Sequence, residues 1–229
     1  MANVIITGAG RGIGLELART HAERGDRVFA LVRDTAKSED LSALAEGSDG
    51  AVSVHMLDAA DIAGIPAAAD AVPCDSVDVL YNVAGVTGPI SGELEGDTDW
   101  DAWDLAIDVM LKAPFAITKA FLPRMGEGSK VINFSSQLAA STWPYGGFYV
   151  YVATKAGLVA LTRSMAIDLK ERGISLISLH PGWVKTDMGG PDADITTEES
   201  VAGITALTDR LTVEDSGGFF KWNGELHPL

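Results

Sequence analysis

The chain has 229 residues, 47% of them hydrophobic and 21% charged, an ordinary globular composition with enough length to bury a substantial core. Its formal net charge of −15 repels phosphate backbones and anionic lipid, which argues against general nucleic-acid or membrane binding. The one cysteine, Cys74, forms no internal disulfide, no spacing suggests a zinc site, and no apolar run approaches a membrane span. Met1-Ala2-Asn3 leads into an apolar run with no signal-peptide features, so the expected location is the cytoplasm.

Short β-branched runs alternate with longer segments of helical period. Strands are expected at Val4 to Thr7, Arg27 to Val32, Val52 to Leu57, Val77 to Tyr81, Lys130 to Phe134 and Ile174 to Leu179, with a short seventh at Gly218 to Trp222. Helices are expected from about Gly12 to Arg24, around Asp40 to Glu46, through a long stretch containing Trp103, Leu105 and Phe121, and from about Tyr151 to Arg172. This alternation predicts an α/β chain: a three-layer, doubly wound Rossmann fold whose mainly parallel sheet has seven strands. No repeat, low-complexity segment or linker cuts the chain, so residues 1–229 are expected to form one dinucleotide-binding domain. In such sheets ligands lie beyond the carboxyl ends of the strands, which is where the motifs below fall.

The first strand runs into Thr7-Gly8-Ala9-Gly10-Arg11-Gly12-Ile13-Gly14. Gly8, Gly10, Gly12 and Gly14 would let the backbone approach a pyrophosphate, and the helix starting there aims free N–H groups at the anion. The place between strand and helix makes this more specific than a lone glycine-rich turn. The second strand ends in Leu31-Val32-Arg33, with no acid to bond a ribose 2′-hydroxyl. Arg33, helped by Arg11, suits the 2′-phosphate of NADP(H), while the following Asp34 keeps NAD(H) open. Asp58 closes the third strand, where a carboxylate could accept from the adenine amino group. Asn82-Val83-Ala84-Gly85 closes the fourth, where small residues such as Ala84 and Gly85 would let the chain pass under a ribose. Both can equally be strand-end turn chemistry.

Tyr151 and Lys155 lie four apart on a predicted helix, about 40° around its axis, and so share a face. Tyr149, about 120° away from Lys155, is the poorer partner. An ammonium beside a phenol favours phenolate, so the Tyr151 pKa is expected to fall toward working pH and the group to act as an acid or base. Lys155 can also reach ribose hydroxyls. Ser135-Ser136, after the fifth strand, offers a hydroxyl to a substrate oxygen.

These motifs, in this order and covering nearly the whole chain, resemble the short-chain dehydrogenase/reductase family. Gly146 to Tyr151, His180 to Pro191 and Asp215 to Phe220 are similar to its C-factor/sniffer-like carbonyl reductase branch. The resemblance implies that Ser136 orients the substrate, with Ser135 a weaker alternative, that Tyr151 is the acid/base, and that Lys155 tunes it and holds the ribose. It implies that Pro181, Gly182, Val184 and Thr186 line the nicotinamide side of the cofactor site, with Val184 and Thr186 meeting the carboxamide. Two departures stand out: Val83 where the family often has a second asparagine, and Met110 where it places an asparagine that supports the lysine's water relay. A thioether accepts hydrogen bonds poorly, so proton supply is expected to be impaired, unless the backbone carbonyl of residue 110 carries it. The family's substrate cover would be short here, Asp187 to Thr196. Trp143, Tyr145, Phe148, Trp183 and Met188 suit an apolar mouth for a non-ionic ketone, aldehyde or quinone, or else belong to core or interface. The resemblance implies a monomer, homodimer or homotetramer acting on a small-molecule carbonyl or alcohol. It leaves open a dinucleotide-binding sensor with little turnover.

Overall fold

The structure is a computed structural model that describes residues 1–87, 94 and 97–228. Seven strands form one parallel sheet in the order β3-β2-β1-β4-β5-β6-β7. They are β1 (Asn3–Thr7), β2 (Arg27–Val32), β3 (Val52–Met56), β4 (Val79–Asn82), β5 (Lys130–Phe134), β6 (Ser175–His180) and β7 (Phe219–Lys221). The helices between them are α1 (Gly12–Glu23), α2 (Glu39–Glu46), α3 (Ile65–Asp70), α4 (Trp100–Ile107), α5 (Ala113–Phe121), α6 (Tyr149–Leu169) and α7 (Thr197–Arg210). The chain winds outward from β1 to β3, returns to β4 beside β1, and continues the other way, so the crevice between β1 and β4 is the topological switch point.

Strand side chains alternate between two apolar layers, which is why these strands read as continuous hydrophobic runs. Val4 and Ile6 join Leu17, Ala18, Ile204 and Leu207 on the α1/α7 face. Ile5 and Leu80 join Ile117, Phe121 and Val150 on the α5/α6 face. The expected strands and long helices are all present, with edges shifted by up to three residues. The short alanine-rich α3 was not expected, and the stretch from Trp100 to Phe121 is not one continuous α-helix. Asp108–Lys112 is a π-helical turn, with the Ala113 N–H bonded to the Asp108 carbonyl. Among the described residues, no helix is long and apolar enough to cross a membrane.

A row of buried polar residues crosses the middle of the sheet. Thr7, Asn82, Asn133 and Ser178 lie in register on β1, β4, β5 and β6. Asn82 Nδ2 donates to Asn133 Oδ1 at 2.8 Å and to Thr118 Oγ1 of α5 at 3.3 Å. Asn133 Nδ2 donates to Thr162 Oγ1 of α6 at 2.9 Å. The row thereby fastens α5 and α6 to the sheet.

His180, at the end of β6, is 9% exposed, and its Nδ1 has no hydrogen-bond partner among the described residues. Burial, reinforced by His227 and Lys221, pushes its pKa down to about 4. The folded value lies below the unfolded one near ~6.5, so the neutral ring's contribution is complete above that pH and is lost as pH falls toward the folded value. The shift corresponds to roughly 3 kcal/mol. His180→Asn should therefore flatten the fall of the urea midpoint between about pH 6.5 and about pH 4. An unchanged slope would remove His180 from the acid limb.

Candidate active site

The glycine loop is built by close backbone approach. Gly8 has φ +69°, and a Cβ there would lie 2.8 Å from the Ala84 Cα, so β1's exit and β4's exit touch. A Cβ on Gly14 would fall 2.3 Å from the Gly8 carbonyl oxygen, which seats the first turn of α1 directly on the loop. Thr7 Oγ1 accepts from the N–H groups of Val83 and Ala84 at 3.0 and 3.2 Å and locks the two exits together. Gly10 lies against Ser38 and Val32, and Gly12 against the Thr186 methyl. Ile13 packs on the α1/α7 core. Among the described residues no side chain caps α1, and its first turn holds no acid, so its leading N–H groups suit an anion.

At the end of β2, Arg33 is exposed and makes no ion pair with any described residue. Asp34, which kept NAD open, is committed locally. Its carboxylate accepts from the Ala36 N–H at 3.0 Å and pairs with Lys37 at 3.2 Å, and Lys37 holds its pKa below the ordinary value. Arg11 pairs with Asp187 at 2.9 Å, both side chains being largely exposed. Asp58 Oδ1 accepts from the Ala60 N–H at 2.9 Å, which is turn chemistry at that oxygen. Asn82 turns its carboxamide into the buried row rather than outward, whereas Ala84 and Gly85 remain half-buried at the strand exit.

Tyr151 and Lys155 sit on one face of α6, the ammonium 5.6 Å from the phenol ring centroid. Lys155 is 5% exposed and its Nζ donates to the Phe134 carbonyl at 2.7 Å. The expected fall of the Tyr151 pKa is corrected here. Burial raises it, and the Ser136 hydroxyl provides the one resolved opposing pull. The physical reason is desolvation: a buried phenolate loses more hydration than its neighbours return, and Lys155 spends a proton on a carbonyl. Burial also pushes the Lys155 pKa down to about 8. The two serines separate cleanly. Ser135 Oγ donates to the Lys155 carbonyl at 3.0 Å, a structural bond, while Ser136 faces the phenol and accepts from the Leu138 N–H at 3.3 Å.

After β6, a Cβ on Gly182 would lie 2.5 Å from Ile195 Cδ1, and Pro181's carbonyl accepts from Ser200 Oγ at 2.6 Å. Buried Val184 pairs with Ile195, and Thr186 Oγ1 accepts from the Gly189 N–H at 3.1 Å. The segment is thus fastened at its roots and carries Asp187 and Met188 outward. Trp143 stacks edge-on against Tyr145, and Trp183 Nε1 donates to the Gly189 carbonyl at 2.8 Å. Phe148, just before α6, has φ +54°, a left-handed conformation that is strained for an aromatic residue. Sequence reasoning missed the Asn133–Thr162 bond, the Arg11–Asp187 pair and the π-turn. Pro114, inside an otherwise helical stretch, was the available signal for the last, because its missing N–H breaks the α-helical ladder at the Met110 carbonyl.

The family model for short chain dehydrogenase matches residues 2–195. The chain is 40% identical over 153 residues to C-signal of Myxococcus xanthus, covering 65% of this chain and 90% of that protein. It is 32% identical over 216 residues to D-threitol dehydrogenase of Mycolicibacterium smegmatis, covering 90% and 81%. Among solved structures, the carbonyl reductase Sniffer of D. melanogaster superposes with a TM-score of 0.91 at 28% identity over 100% of both chains. The NADPH-bound carbonyl reductase from chicken fatty liver gives 0.90 at 31% identity, over 100% and 99%.

Lys155 makes a linked prediction. Its pKa falls from 10.5 unfolded to about 8 folded, so the buried ammonium destabilises the fold below pH 8, and this group's contribution improves as pH rises from 8 to 10.5. Lys155→Met should raise stability at neutral pH by ~2 kcal/mol, allowing for the lost bond to Phe134. The gain should shrink as pH climbs through that window in urea titrations. A pH-independent difference would show that Lys155 is not desolvated.

Proposed function

Because the chain belongs to the short-chain dehydrogenase family, we propose that this oxidoreductase is an NADPH-dependent carbonyl reductase, with residues 1–229 working as one dinucleotide-binding domain. The observation that carries this reading is the convergence of Ser136, Tyr151 and Lys155, with Arg33 making no ion pair among the described residues. The cleft fits the cofactor. Gly8 and Gly14 let the loop and the first turn of α1 pack closely, and the uncapped α1 suits the diphosphate. Arg33 suits a 2′-phosphate, and the local engagement of Asp34 weakens the case for a ribose hydroxyl. Ala84, Gly85, Pro181, Gly182, Val184 and Thr186 would line the remainder.

When bound, NADPH supplies the hydride. The chain's own residues manage the proton. Ser136 and Tyr151 hold the substrate oxygen from two sides, and hydrogen bonds there strengthen as negative charge develops. The raised Tyr151 pKa keeps the phenol protonated at neutral pH, which suits donation to a carbonyl and hence reduction. Lys155, held charged at neutral pH but with its pKa pushed down to about 8, favours the phenolate that donation leaves and can release a proton at small cost. The half-buried and exposed aromatics Trp143, Tyr145, Phe148 and Trp183 favour a non-ionic ketone, aldehyde or quinone.

A second reading, a dinucleotide-binding sensor with little turnover, is favoured by the similarity to C-signal and by Met110. NADPH oxidation against a panel of ketones, aldehydes and quinones separates the two; tight NADPH binding with no turnover would establish the sensor. For the reductase, Ser136→Ala should lower kcat by about 10²-fold or more, while Ser135→Ala leaves it nearly unchanged and lowers stability by about 1 kcal/mol. Arg33→Ala should weaken NADPH about tenfold and leave NADH unaffected, as measured by fluorescence titration. Equal losses for both cofactors would place the 2′-phosphate elsewhere.

A further inference from the structure

The π-helical turn at Asp108–Lys112 presents two neighbouring side chains to two different parts of the site. Leu111 lies against α6: a Cβ on Gly157 would meet Leu111 Cδ1 at 3.4 Å. Met110, 1% exposed, reaches the other way. A Cβ on Gly85 would meet both Met110 Sδ and Met188 Cε, each at 4.0 Å. A buried methionine from the middle of the fold and a half-exposed one from the segment after β6 therefore converge over the same Cα, at the carboxyl end of β4. The roots of that segment are fixed by the Val184–Ile195 pairing, but its tip has weaker holds. Asp187's bond to Arg11 joins side chains that are 76% and 75% exposed, a geometry worth little in water.

We propose that Met110 is a positioning residue, the seat on which the cover segment at Asp187-Met188 rests through the contact of the two methionine side chains above Gly85. The proposal relies on the preceding reading only in taking that segment as the cover of the reacting site. Unbranched, polarisable thioethers suit such a seat because they adapt to a moving partner without demanding a hydrogen bond. The seat also has a consequence for substrate. A wall of two thioethers offers no donor to a carboxylate, and desolvating an anion against it is costly, so flat uncharged carbonyl compounds are favoured over acidic counterparts.

The test uses the full chain and two readouts. The first needs no turnover: the rate of tryptic cleavage after Lys185, an exposed lysine at the root of the segment. Met188→Ala and Met110→Asn should each speed cleavage about fivefold, the scale of losing one or two buried methylene-sized contacts. The double variant should be no faster than the faster single, because both changes remove one contact. Met110→Leu, which keeps the apolar volume, should restore slow cleavage. Met188 is half exposed, so Met188→Ala keeps the test decisive if Met110→Asn fails to fold. The second readout is the split between KM and kcat for an aryl ketone and its carboxylate-bearing analogue. Loss of the seat should raise KM for the neutral ketone and narrow the discrimination, leaving the pH profile of kcat in place. Unaltered cleavage in Met188→Ala, or multiplying effects in the double variant, would overturn the seat. So would a changed pH profile in Met110→Asn with KM and cleavage unaltered, which would put the side chain in proton supply. Absence of turnover in the unsubstituted protein would instead sink the reductase reading, and the cleavage series would still decide the seat.

Discussion

The bond from Asn133 to Thr162, continued through Asn82 to Thr118, sets how the helices on one face ride on the sheet. Apolar layers can slide by a fraction of a turn at little cost, because dispersion contacts carry little directional preference. A buried amide cannot, since losing its partner costs about 1–3 kcal/mol. The row therefore converts a greasy contact between α6 and β5 into a fixed register. Everything chemical on α6 inherits that register, including which way the phenol faces relative to the exit of β5. Lys155 and Ser135 add a second tie at the same level, each bonding backbone of the opposite element.

Within that frame, burial acts on the acid and on the base in opposite directions. It raises the phenol and lowers the ammonium, so two proton affinities that are nearly equal in water move apart. With the ammonium the stronger acid of the two, a proton passes downhill from it to a phenolate. The arrangement is bought with stability, through a charged lysine kept out of solvent. Structures commonly carry such strain where chemistry is done and compensate with packing elsewhere.

Much of this was legible in the sequence because it rests on local rules. Glycine spacing between strand and helix marked the tight loop after β1, four-residue spacing put Tyr151 rather than Tyr149 on the face of Lys155, and apolar runs marked the strands. The features that escaped depend on distant partners. Asp34 looked like an unassigned acid, although its position before Thr35-Ala36-Lys37 makes it a helix-capping residue. Arg11 looked free because its partner lies 176 residues away. The sign of the Tyr151 shift depended on how completely the phenol is buried, which no helical wheel reports. Met110 read as a missing hydrogen-bonding group. Its sulfur lies beside Gly85, and Pro114 removes the α-helical donor from its carbonyl.

Phe148 and Gly147, with φ of +54° and +84°, bring the chain into α6 along a left-handed path, and no side chain caps the helix start. A residue forced into that region gives up roughly 1–2 kcal/mol, so the first turn forms against its own backbone preference. It is held by packing, with Val150 buried beneath it and the Val152 N–H on the Phe148 carbonyl at 2.8 Å. Tyr151 stands on this turn, whereas Lys155 stands one turn deeper, buried and bonded to a strand. The phenol and the cation behind it are thus mounted differently. One rests on a turn that packing holds against its own backbone preference, and the other is anchored directly to a strand.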